Sequence, residues 1–426
     1  MGVNSNQYLQ GINQTTGTGA PVHSAVAGDR YTDTATGTTY QYTTSWQTVS
    51  YSAGGLTYFT EAQSTASPNA TVNVDSLTAV ATSTNADFSI VPKGTGAVLA
   101  SIPDGLGAGG NKRGAYAVDL QRLRNSATEV ASGDYSTLIG GWRTKATGSY
   151  STVLGGAYGA ANSDYSIAGG YNNSVIGIGA FGVGYQNSTN GTACFVAGQT
   201  NSANTQYDSA LGVNNSVTSA IRASFAVGTN NTITSGYGSM ALGGYNTLDG
   251  YASCALGHDN TGSAYSTMLG RNGWSNGTPK MVYSGNGWVI GDNQKSNLML
   301  NARTTGATPT TLVVNQASGA TANALNQLIL PNNSCFSVKG RIVGKKSAST
   351  DVGVWDIDFI IVRGTTAATT VLKVNTVNMI SNDASWGTPT VTANTTLGCP
   401  TVQVTGLAAT NIQWTFAPES VEVIYA

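Results

Sequence analysis

Charge is what this chain has least of. Its 426 residues carry 19 basic and 20 acidic side chains, 9% in all, where ordinary domains have about 25%. A net charge of −1 collects no phosphates, which excludes a nucleic-acid partner. Glutamate is absent between Glu129 and Glu419, so paired carboxylates for sugar hydrolysis are scarce. Asp356 and Asp358 alone suit such a pair, about 7 Å apart along one strand, and a solvated strand surface explains them better. There are only two histidines, His23 and His258; neither has neighbours that make a metal or catalytic site, and no cofactor is expected. The four cysteines are too scattered for a disulfide framework. Cys194 and Cys254 fall on different faces, roughly 19 Å apart, while Cys335 and Cys399 share a domain; isolated buried thiols suit assembly in a reducing host cytoplasm. No apolar run reaches 18 residues and the N-terminus lacks a cleavable leader, so a soluble protein without membrane insertion or conventional export is expected.

What is abundant is glycine, at 54 residues, and it recurs with a period. A phrase of small, any, small apolar, apolar, glycine closes at Gly140, Gly155, Gly170, Gly184, Gly198, Gly212, Gly228, Gly243, Gly257 and Gly270, at intervals of 13 to 16 residues. That period is too short for a helical hairpin and suits one coil of a parallel β-solenoid. Ten rungs at about 4.8 Å each make a section on the order of 45 Å long.

Strand alternation assigns the faces. The first, third and fifth residues, as in Ser224, Ala226 and Gly228, point into a thin coil. The fourth points out, giving Ile139, Leu154, Val183, Leu211, Val227, Leu242, Leu256 and Leu269, joined by second residues such as Phe181 and Phe225. A two-stranded coil cannot cover that file, and leaving it wet forgoes roughly 1.5–3 kcal/mol per side chain. Further copies of the same chain are the simplest cover, and a bundle of thin solenoids about an axis favours three.

These rungs, with returns reading Asn173-Ser, Asn187-Ser, Asn201-Ser, Asn215-Ser, Asn231-Thr, Asn246-Thr and Asn260-Thr, resemble the YadA-like head repeats of trimeric autotransporter adhesins. That resemblance implies a homotrimeric left-handed β-roll with a shared core. Residues 1–55 contain Val26-Ala-Gly-Asp-Arg-Tyr-Thr-Asp33, Thr36-Gly37 and Thr39-Tyr-Gln-Tyr-Thr43, a small antiparallel β-module similar to those near the N-termini of bacteriophage fibre proteins, where it implies docking to tail or portal/adaptor proteins.

Residues 56–130 read as a shoulder, in which Lys112, Arg113, Arg122 and Arg124 form a solvated basic collar. The roll occupies 131–275 and a neck of short strands, including Trp288-Val-Ile, occupies 276–320. Residues 321–426 alternate with period two, with Phe336, Val338 and Ile342, then Trp355, Ile357 and Phe359, then Ile412, Trp414 and Phe416, then Val421, Val423 and Tyr425, as an antiparallel β-sandwich or jelly roll. The series Leu330-Pro-Asn-Asn-Ser334, Gly340-Arg-Ile-Val343, Trp355, Arg363-Gly364, Val404-Thr-Gly406 and Trp414 is similar to a C-terminal module common in phage fibres. Trp386, beside Gly387 and Pro389, is the loop tryptophan placed to stack on a sugar.

The expectation is an all-β homotrimer in a virion, on the tail: a non-enzymatic fibre or spike that binds a host surface glycan or protein receptor. A capsid-attached fibre and a polysaccharide-depolymerising tailspike are the alternatives.

Overall fold

The computed structural model describes residues 7–9, 12–22, 24–36, 38–48, 59–64, 74–80, 84–218, 223–235, 237–314 and 322–425. His23 lies outside them. The chain divides into two compact units, Met1–Val91 and Pro92–Ala426.

In the first unit, Arg30–Asp33 pairs antiparallel with Thr39–Tyr42, which pairs antiparallel with Trp46–Thr48. Tyr31 and Tyr42 set their rings edge-on against Trp46 at 6.1 and 5.4 Å. The turn between the first two strands is held by Asp33, whose carboxylate accepts from the Thr36 hydroxyl at 2.7 Å and from the Ala35 and Gly19 amides. That is the hairpin expected around Thr36.

The second unit is a parallel β-solenoid that runs into antiparallel sheets. Its main ladder includes all ten repeats and reaches past both ends of them, through Val98–Leu99 and Val118–Asp119 before and Met281–Ser284 after. A second parallel ladder of two- to four-residue strands, Lys145–Ala146 through Thr261–Ser263, closes the other side of each coil.

The inside is filled by matching a large residue on one ladder to a small one on the other. Leu138 and Val153 share rungs with Ala146 and Ala161; Ala210, Ala226 and Ala241 share rungs with Val217, Ile233 and Leu248. Where both sides would be bulky, glycine intervenes, since a Cβ on Gly182 would lie 2.7 Å from the Val175 methyl. This is close packing achieved with two side chains per layer.

The fifth-position glycines do something other than fill space. Gly212, Gly228 and Gly243 adopt φ near +115°, where an L side chain is strained, and a Cβ there would meet the next rung's glycine carbonyl at 1.9–2.1 Å. Only glycine lets the rungs stack at this bend.

Beside that bend the return asparagines are buried and stacked. Each Nδ2 from Asn187 to Asn231 donates to the carbonyl four residues back, to the glycine carbonyl of the following rung and to the previous asparagine's Oδ1, which also accepts the main-chain N–H. A buried amide satisfied at every position replaces the apolar contact that a two-residue strand cannot supply.

At its C-terminal end the ladder changes direction without a break. Met281–Ser284 is parallel to Thr267–Arg271 on one side and antiparallel to Gln294–Asn297 on the other, and the latter pairs with Ile412–Ile424. Ser334–Lys346, Val352–Arg363 and Val371–Asn382 continue that sheet, and Thr310–Thr311, Gly387–Asn394 and Cys399–Thr405 form a second. Phe336, Trp355, Phe359, Trp414 and Phe416 from the first sheet and Val391, Val402 and Val404 from the second share one core. Antiparallel sheets stand at the C-terminal end as expected, but they also take in Gln294–Asn297, Leu300–Thr304 and Thr310–Thr311 from the stretch read as a neck, and Val421, Val423 and Tyr425 face outward.

Candidate functional site

The outward file on the roll is the feature with a functional arrangement. Ile139 and Leu154 are 51% and 50% exposed, and Phe195 and Phe225 are also exposed. Phe181, Val183, Leu211, Val227, Leu242, Leu256 and Leu269 are half-buried, each shielded only by its neighbours above and below. Phe181 stacks on Phe195 at 5.1 Å. Parallel register stacks Leu211, Val227, Leu242, Leu256 and Leu269 directly over one another, so the file is straight over these five rungs; in the rungs before them Gly169 and Ala197 take the same position and thin it.

A second exposed file, not anticipated, is aromatic. Tyr116, Tyr135, Tyr150 and Tyr165 stack at 4.8–5.2 Å with planes within 15°. Each has φ between 57° and 59°, a left-handed turn residue that ring stacking helps hold in place.

Several candidate residues lie elsewhere than expected. Trp386 is buried, 3% exposed, and packs edge-on against Trp414 at 5.2 Å, because Asn382 holds its amide and carbonyl (2.8 and 2.9 Å) and draws the ring into the sandwich. It offers no face to a sugar. The basic collar is half interior: Arg113 and Arg124 are buried and converge on Asp119, at 2.6 and 3.1 Å, while Lys112 and Arg122 are exposed. Asp119 sits inside the roll and offsets one of the two charges, while main-chain carbonyls accept further guanidinium donors of both; a cluster of cations in sequence conceals such a partner. Trp288-Val-Ile is not a strand, and Trp288 stands free at 99% exposure.

Asp356 is held by Arg341 through two hydrogen bonds of 2.7 and 3.1 Å, and that hydrogen bond and charge keep its carboxyl below the ordinary range. A general acid needs the opposite shift. Asp358 stands across the ladder from Lys339. His258 Nδ1 lies 2.7 Å from Asp259, which also faces Arg271 at 3.5 Å. Among the described residues no group of three or more His, Cys, Asp or Glu side chains is close enough to hold a metal.

All four cysteines are free. Burial pushes the Cys194 and Cys399 thiols up to about 11 and about 12, so neither is a nucleophile near neutrality. Cys194 points into the roll and Cys254 lies on the other face, as alternation requires, whereas Cys335 is exposed because the outward parity of its strand includes it.

No protein-family model matches the chain, and no curated protein does. Among solved structures it is similar to the tailspike protein gp49 from Acinetobacter baumannii bacteriophage Fri1, a capsular polysaccharide depolymerase, at 9% identity over 71% of this chain and 67% of that one, with a TM-score of 0.18.

Proposed function

We propose that the chain is a bacteriophage virion protein, one of three identical subunits of a tail fibre or spike. The roll serves as a stiff spacer and the C-terminal sandwich binds the host surface, by preference a glycan, without cleaving it. The observation that carries this reading is the straight apolar file on the outside of a roll whose inside is already complete. Cyclic symmetry covers such a file with itself and closes. Three copies of a weak site then bind together with an effective concentration that no single site provides. The N-terminal unit docks to the particle, and assembly takes place in the host cytoplasm.

Leu242→Glu with Leu256→Glu tests the reading, because each places a carboxylate where the three files meet. The double variant is expected to lose the trimer and at least tenfold in adsorption to host cells. A variant that stays trimeric and adsorbs normally contradicts the proposal. Incubation of the intact protein with host envelope polysaccharide is expected to release no reducing ends; release would replace the adhesin by a depolymerase. Gold label on the head rather than the tail of whole particles would favour a capsid fibre.

A further inference from the structure

We propose that the outer face of the C-terminal sheet carries a binding groove for an acidic polysaccharide, one bearing a carboxylate or phosphate in its repeat. The inference rests on the host-binding role and names the chemistry of the ligand. The groove encloses about 920 Å³ where Leu300–Thr304, Ile412–Ile424 and Ser334–Lys346 lie side by side. Thr415 and Ala417, both small and outward-facing, make its floor. Arg303 stands on one wall, Arg341 and Lys345 on the other, and Lys346 at the end.

Four cations border this space and no carboxylate does, in a chain whose charges otherwise nearly cancel. Arg341 and Lys346 have carboxylate partners outside the groove, Asp356 at 2.7 Å and Asp351 at 3.0 Å, which hold them in position and leave part of their charge. Lys345 makes no ion pair among the described residues; its ammonium donates to the carbonyls of Lys346 and Ser349 and acts at longer range on Asp351. Arg303 is exposed and makes no ion pair with a described residue, so its planar fork is free for a bidentate oxyanion.

Gln413, Asn411 and Ser347 add uncharged polar groups that exchange hydrogen bonds with sugar hydroxyls, while Val343 and Ile412 supply apolar surface beside them. No aromatic ring lines the groove, which removes the stacking platform that a nucleobase uses. Three strands span roughly 10 Å, enough for about two sugar units of a chain passing through an open cleft.

The test is binding of the full-length protein to immobilised polygalacturonate, poly(ribitol phosphate) and neutral dextran at low and physiological salt. Binding to at least one acidic polymer, weakening with salt, and none to dextran are expected. Arg303→Ala with Lys345→Ala should weaken that binding at least tenfold; both side chains are exposed, and the melting curve should not move. Lys112→Ala with Arg122→Ala, which removes two exposed cations elsewhere, should leave it unchanged. Equal losses in the two double variants, binding to dextran, or no acidic polymer bound would overturn the groove. If the Arg303/Lys345 variant still adsorbs to host cells as the parent does, the groove falls and the adhesin stands; if the parent does not adsorb, the adhesin falls.

Discussion

Asn215→Asp is expected to destabilise the roll by about 3–5 kcal/mol, the sum of a few lost buried hydrogen bonds and a buried charge. Asn215 is buried. Its Nδ2 donates to the Leu211 carbonyl at 2.9 Å, the Gly228 carbonyl at 2.8 Å and Asn201 Oδ1 at 3.0 Å, while its own Oδ1 accepts from the Asn231 main chain and side chain. Aspartate keeps the acceptor and replaces the donor with an oxygen aimed at three other oxygens. Alanine, which removes both, leaves the same carbonyls unpaired without adding charge, and should cost less. Because each rung is stabilised only by its neighbours, the damage spreads along the stack. Urea unfolding followed by circular dichroism reads both variants; midpoints within error of the parent for Asn215→Asp would remove the ladder from the account.

Breaking the ion pair at the end of the roll is expected to be as severe. Lys280 occupies, in the last rung, the inward position that Ser253 and Ser266 hold in the rungs before it, and there it meets Glu422 from the final strand at 2.8 Å, both side chains 1% exposed. Gln294 Nε2 and the Ser420 hydroxyl also donate to that carboxylate, at 2.5 and 2.7 Å, as does the Ser296 hydroxyl. Burial alone would raise the Glu422 carboxyl, but Lys280 and the two serines outweigh it, and the net position is below the ordinary value of 4.5. Lys280→Met alone strands a buried charge and should cost roughly 3–5 kcal/mol, whereas Lys280→Met with Glu422→Leu should recover most of it. A folded-state value below the unfolded one means that the stability Glu422 contributes is complete above about pH 4.5 and is lost as pH falls through the folded value. Melting temperatures measured from pH 7 downward should therefore fall more steeply for the parent than for the double variant. Parallel curves would contradict the assignment.

Glu422 also shows where sequence reading runs out. One strand, Ile412–Ile424, keeps a single parity, so the inward set that begins Ile412, Trp414, Phe416 continues through Ser420 and Glu422, and Val421, Val423 and Tyr425 face outward. Hydrophobicity alone suggests the reverse, because the lysine that makes Glu422 tolerable inside lies 142 residues away in the chain. The same holds for Arg113 and Arg124, whose shared Asp119 is invisible in a count of cations, and for Trp386, which flanking glycine and proline mark as loop while Asn382 pulls it into the core.

The roll was legible because each rung repeats one local rule. Serine and alanine alternating with leucine, valine or phenylalanine assign two faces in copies such as 224–228, 239–243 and 253–257, and the parallel register extends that assignment to copies with Leu138 or Val196 inside and Gly169 or Ala197 outside. The asparagines looked like turn formers, as asparagine does in most returns. Their ladder of side-chain bonds depends on the rungs already being stacked.

Sedimentation equilibrium of the full-length protein at micromolar concentration tests the central claim most directly. Three chain masses in one species, with no folded monomer on dilution through that range, is the result this account predicts. A single chain that sediments alone, folded and stable, with Leu242 and Phe225 facing water, would contradict it.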